Sequence, residues 1–182
     1  MTVKANYTRG QRPTVAEMNT FAANPALRYI SQININAVTT TIASGFNSTY
    51  SNYRLEFSNL RCAAGSTLAL LSLTGGTGTA HSSSYRITSE TGAVTLNNQS
   101  GSAYWLGLPV VGASVHSQYS VDIFAPNILL NTQYSFRGNC GYGSAFGGGF
   151  LNDNNSYVGF SITGLFSTTI QGTLRIYGYR KA

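Results

Sequence analysis

The sequence predicts an all-β fold: a single antiparallel β-sandwich or jelly roll with an extended N-terminal arm and one short helix. Three observations predict it. Apolar residues recur with a period of two along several stretches, as in strands with one buried face. Turn signals rich in Gly, Asn and Pro separate those stretches at roughly regular spacing. The 182 residues include 20 Gly, 12 Tyr and 9 Phe but only 9% charged residues, so strand and turn formers dominate and long helix formers are scarce.

The elements follow in order. Residues 1–13 show no periodicity and read as an extended arm. Thr14 and Glu17 stand at capping-box spacing ahead of Met18, Phe21 and Ala22, which predicts a short helix at about 14–23. Asn24-Pro25 ends it. The arm is therefore expected over 1–29 and the sandwich over 30–182.

Strands are expected at 28–35 and 37–43, and then at Tyr53–Phe57. There Tyr53, Leu55 and Phe57 face one way and Arg54 and Glu56 the other. Thr67–Leu73 is a denser apolar run, expected to be buried on both faces. Further strands are expected at 84–88, 93–97, 103–108 and 132–137. Gln118–Ala125 sets Tyr119, Val121, Ile123 and Ala125 on one face, with Ser120 and Asp122 opposite. Ser156–Thr163 groups Val158, Phe160 and Ile162. Thr173–Tyr179 groups Leu174 and Ile176 against Thr173, Arg175, Tyr177 and Tyr179. Turns are expected at Gly75-Gly76, Gly92, Asn97-Asn98, Pro126-Asn127, Gly147–Gly149 and 152–155.

The formal net charge is +6, and it is unevenly placed. Lys4, Arg9, Arg12 and Arg28 are opposed only by Glu17 over the first thirty residues, Arg180 and Lys181 lie at the other end, and the middle is near neutral. Two readings stand side by side: basic tails that meet an acidic surface, and solubility for a body poor in charge. No apolar run reaches the ~20 residues of a membrane span, and the first residues lack the apolar core of a secretion signal. No membrane partner is expected.

Candidates for chemistry are few. Cys62 and Cys140 show no CxxC spacing. They could pair if their strands are neighbours, but two reduced, buried thiols are expected. The histidines, His81 and His116, read as solvated loop residues, and no GxSxG elbow accompanies the serines. The five acids are Glu17, Glu56, Glu90, Asp122 and Asp153. Glu56 and Asp122 fall on solvent-type strand faces, where Arg54 or Arg175 could pair with either, so ion pairs are expected rather than a glycosidase couple. One Asp in 152–155 is too little charge for calcium. Gly138–Gly149 lacks a phosphate-loop pattern and reads as a flexible loop. No enzyme, cofactor or metal is expected. Arg175–Arg180 interleaves Arg and Tyr, but its clean alternation reads as a strand, with Arg175, Tyr177 and Tyr179 as an exposed interface. Nucleic acid is not expected as a partner.

Three segments carry a resemblance. Tyr50–Leu60 (YSNYRLEFSNL) is similar to "Y-x-N-Y-R-I-x-I-S-N", Val121–Pro126 (VDIFAP) to "x-D-I-F-N-P", and Gly172–Arg180 (GTLRIYGYR) to "G-T-I-R-V-Y-G-Y". In order and spacing they resemble a family of small β-sandwich, jelly-roll-like proteins on the virion surface of tailed bacteriophages and prophages. The resemblance covers about 30–182, and Val15–Asn19 is similar to the "T-A-x-x-M-N" that often precedes such domains. It implies a homotrimer on the virion surface, assembled in the host cytoplasm, and no catalytic residues.

Within that family the chain lacks a shaft, so a head decoration (cement) protein is expected. Its arm, with Lys4, Arg9, Arg12, Thr14, Glu17, Met18 and Phe21, would grip the major capsid protein or another virion protein. The alternative is a tail-fibre or tail-tip protein contacting host surface glycan through loops at 75–84 and 138–149.

Overall fold

The structure is a computed structural model that describes residues 27–63, 65–75, 81–89, 94–102, 106–112, 114–141, 143–151 and 155–180. The expected arm and helix, with Lys4, Arg9, Arg12, Thr14, Glu17, Met18 and Phe21, lie outside the described residues, as do Glu90 and Asp153.

The all-β expectation holds. Among the described residues twelve strands follow one another: β1 (Leu27–Ala37), β2 (Thr39–Ile42), β3 (Tyr50–Cys62), β4 (Ser66–Thr74), β5 (His81–Ser89) and β6 (Val94–Ser102), then β7 (Leu106–Val111), β8 (Ser117–Phe124), β9 (Gln133–Cys140), β10 (Gly143–Leu151), β11 (Gly159–Gly164) and β12 (Ile170–Arg180). The one helical piece among the described residues is a 3-10 turn at Leu165–Ser167. The strands form an eight-stranded sheet ordered β1-β12-β3-β8-β9-β10-β5-β6 and a four-stranded sheet ordered β2-β11-β4-β7. Every pairing is antiparallel.

The alternation read from the sequence decides which side chains fill the space between the sheets. From the large sheet come Tyr53, Leu55, Phe57, Val121, Ile123, Phe136, Leu174 and Ile176; from the small sheet come Ala69, Leu71, Leu108, Phe160 and Ile162, all buried in one cluster. Period-two burial of this kind is what a face-to-face sandwich requires. Two tyrosine hydroxyls that enter the core are bonded: the Tyr119 hydroxyl of the large sheet donates to the Pro109 carbonyl of the small sheet at 2.7 Å. The Tyr53 hydroxyl accepts from Asn47 N and donates to Asn47 O, both at 2.7 Å.

Several expectations are corrected. Gly138–Gly149 is not a loop: β9 runs to Cys140, and Cys140 opposes Gly143 across a two-residue connection before β10. Gly147–Gly149 lies within β10, and Asn97-Asn98 within β6. His81 opens β5 rather than lying in a loop, and 81–84 belong to that strand. Val158 precedes β11 and is 50% exposed instead of joining Phe160 and Ile162 inside. Ala125 ends its strand in a left-handed conformation with φ 58°. β4 is closed on its inner face by Ala69 and Leu71, while on its outer face only Leu70 is buried and Leu68 is half-buried. The misreadings at Gly147–Gly149 and Asn97-Asn98 share a cause: glycine and asparagine are turn formers by local propensity, yet pairing with neighbouring strands carries them into the sheet.

Candidate functional site

The outer face of the large sheet gathers the residues with chemical character. The three resembling segments, far apart in the chain, lie on β3, β8 and β12, which are neighbours in the order β12-β3-β8. Arg54 opposes Asp122 on one side and Tyr177 on the other. Its guanidinium donates twice to Asp122, from Nε to Oδ1 at 2.8 Å and from Nη2 to Oδ2 at 3.0 Å. The Tyr179 hydroxyl donates to the same Oδ1 at 2.7 Å, and the guanidinium carbon lies 5.7 Å from the Tyr179 ring centre. One residue from each segment thus meets in a single cluster. Burial alone pushes the Asp122 carboxyl up, but the hydrogen bonds from Arg54 and Tyr179 outweigh it and hold the group below the usual carboxylate range. Burial, then the bond to Asp122, pushes Tyr179 up to about 12.

The arrangement is a clamp. Near neutral pH the carboxylate has no proton to give, and its oxygens are occupied by Arg54 and Tyr179. The ion pair expected from the alternation of β3 and β8 therefore forms between Arg54 and Asp122. Glu56 opposes Arg175 and Ser120, and Arg175 donates from Nε to Gln32 Oε1 at 2.9 Å. Of the residues proposed from sequence as an exposed interface, Tyr179 is thus tied to Asp122. Tyr177 packs edge-on against Tyr29, ring centres 5.8 Å apart, and Tyr29 is 56% exposed.

Cys62 and Cys140 are buried and unpaired; the thiols donate to the carbonyls of Gly65 and Gly143. Among the described residues no group of three or more His, Cys, Asp or Glu is placed to hold a metal ion. His116 stands in the connection before β8, exposed, and His81 is a strand residue of β5.

No family model, curated protein or solved structure matches the chain.

Three features escaped the sequence reading. First, Phe124, Phe146 and Phe150 are 40%, 47% and 45% exposed. Register sets Phe124 and Phe150 on either side of Gln133 on this face. The alternation Phe146-x-Gly148-x-Phe150 was the available signal, hidden because all three residues between the two rings are glycine. Second, β1 begins where β12 ends: Leu27 opposes Tyr179 and Arg28 opposes Gly178. Arg28 and Arg180 therefore lie at one end of one strand pair. Third, a bulge in β3 opens a polar cavity at the other end of that pair.

Proposed function

We propose that this protein is a non-enzymatic component of a tailed-bacteriophage virion. In this reading it is a homotrimeric head decoration protein held to the major capsid protein by its basic flanking residues, with the sandwich projecting as a knob. The observation that carries the reading is the convergence at one sheet corner. Lys4, Arg9, Arg12 and Arg28 precede or open β1, and Arg180 and Lys181 close the chain. The pairing of Arg28 with Gly178 and of Arg180 with Tyr50 sets these two arginines at the same end of β1 and β12, while the central cation of the outer face is already neutralised by Asp122. Two arginines at one corner, continued in the sequence by Lys4, Arg9, Arg12 and Lys181, on a body poor in charge suit docking onto an acidic shell. The phage setting enters through the three segments, whose residues meet in the Arg54–Asp122–Tyr179 cluster. Three such corners on one trimer would reinforce each other through effective concentration.

Deleting residues 2–24 is expected to leave a soluble sandwich that no longer co-sediments with capsids. The intact protein should release progressively as salt rises, because an exposed basic contact is screened over about 10 Å at 0.1 M ionic strength. A truncated protein that still decorates capsids overturns the anchoring. Stoichiometry separates the reading from its rival: a decoration protein scales with the number of capsid subunits, a tail-fibre protein with the single tail.

A further inference from the structure

We propose that the cavity at the β3 bulge is a binding site for an acidic sugar residue, one bearing a carboxylate beside free hydroxyls. Its shape comes from a local break in register. Gln171 opposes Arg61 and Thr173 opposes Ser58, so Gly172 alone faces both Asn59 and Leu60. Asn59 takes up the extra residue in a left-handed conformation, φ 56°, which asparagine tolerates better than most side chains. Gly172 is required opposite it: a Cβ there would lie 2.9 Å from Leu60 Cδ2 and 3.1 Å from Ser58 O. The result is an open cavity of about 480 Å3 on the outer face, lined by Asn34, Asn36, Asn59, Gln171, Arg61 and His116 among others. That volume falls within the ~300–1,000 Å3 of small-molecule sites.

The lining specifies the ligand. Four carboxamides each offer a donor pair and an acceptor, which is the complement of a sugar's vicinal hydroxyls. One contact is already made: Gln171 Nε2 donates to Asn36 Oδ1 at 3.1 Å, which holds those two amides in place. The lining holds a guanidinium and an imidazole but no carboxylate. Among the described residues Arg61 has no acidic partner; the ion pair is Arg54–Asp122. A planar fork without an acid is matched by a ligand carboxylate. No Phe, Tyr or Trp ring lines the cavity, so recognition would be by hydrogen bonds and charge rather than by stacking on a large ring. Gln171 lies eight residues along β12 from Tyr179, roughly 27 Å at the rise of a strand, so the cavity stands at the end away from the basic corner. This binding goes beyond the anchoring proposed above and does not depend on it.

The test is calorimetric titration of the full-length protein with three probes: a hyaluronan tetrasaccharide, the neutral chitin tetrasaccharide, and inorganic phosphate. The acidic oligosaccharide is expected to bind at least about tenfold more tightly than the neutral one, a difference of one charge-assisted contact. Arg61→Gln should abolish that preference, and Asn36→Ala should weaken the acidic oligosaccharide while retaining the preference. Arg61 and Asn36 are exposed, so both variants are expected to fold, which circular dichroism checks. Equal binding of the two oligosaccharides, phosphate binding as tight as that of the acidic oligosaccharide, an unaltered Arg61→Gln variant, or no binding at millimolar concentration would each overturn the assignment. Capsid binding is read separately by co-sedimentation, so loss of one property does not imply loss of the other.

Discussion

Replacing Asp122 by Asn removes one charge from the centre of the outer face while leaving the core untouched. The carboxylate accepts three hydrogen bonds, at 2.8 and 3.0 Å from Arg54 and 2.7 Å from Tyr179. The Arg54 and Asp122 side chains are 26% and 24% exposed, so the pair lies between two regimes. Fully desolvated bonds to a charged group contribute about 1.5–3 kcal/mol, whereas exposed pairs contribute about 0.2–1 kcal/mol because solvent screens them. Asparagine keeps one acceptor oxygen but presents an NH2 to the second Arg54 donor, so one branch of the fork is lost with the charge. The expected destabilisation is about 1–1.5 kcal/mol, or about 3–5 °C in Tm for a domain of this size.

The pH dependence gives the sharper check. The Asp122 carboxyl is held below its ordinary range in the folded protein. Its contribution is therefore fully present above the unfolded value of about 3.9 and disappears as pH falls through the folded one. Urea unfolding followed by circular dichroism, from neutral pH down to about 2, should show the wild-type advantage over Asp122→Asn shrinking to nothing in acid. A gap that is constant with pH, or absent at neutral pH, refutes the clamp. A double-mutant cycle with Arg54→Met that shows no coupling refutes it independently.

Gly138→Ala is expected to cost about 2–3 kcal/mol or to prevent folding, because the new Cβ would lie 2.0 Å from Gln118 O and 2.3 Å from the Tyr119 ring; wild-type stability in urea contradicts this. Burial raises the phenols of Tyr53 and Tyr119, and burial with the Asp122 bond pushes Tyr179 up to about 12. Their stabilising contribution is thus complete below the ordinary phenol value of about 10 and is lost as pH climbs beyond it. Absorbance titration should show a group of tyrosines that ionise late and together with unfolding. Cys62 and Cys140, buried and unpaired, should resist a thiol-reactive disulfide reagent in the native protein and react stoichiometrically in denaturant; rapid native reaction contradicts their placement.

Much of the body was legible as pattern. Tyr53-x-Leu55-x-Phe57, Tyr119-x-Val121-x-Ile123 and Leu174-x-Ile176 were assigned their inward faces from alternation, and all eight are buried. Side chains on a pleated strand alternate whatever the strand's neighbours, so a two-residue period needs no tertiary information. The same reasoning put Arg54 and Asp122 outward and available to each other. It failed at Gly138–Gly149, where glycines leave no pattern to read, and at Val158, which lies outside the strand expected to carry it.

Strand order belongs to the tertiary structure alone. Nothing local to Tyr50–Leu60, Val121–Pro126 or Gly172–Arg180 says that the three lie side by side; that follows from closing two sheets over one core, a global condition on all twelve strands. The basic corner, the Arg54–Asp122–Tyr179 clamp and the carboxamide cavity all arise from that order, because each joins residues that are adjacent only across strands. The sequence by itself determined that the chain forms strands, which residues point inward and where its charge is concentrated. The tertiary structure decided which outward residues meet, since hydrogen-bonded pairing between strands distant in the chain depends on how the whole apolar surface is buried rather than on any one segment.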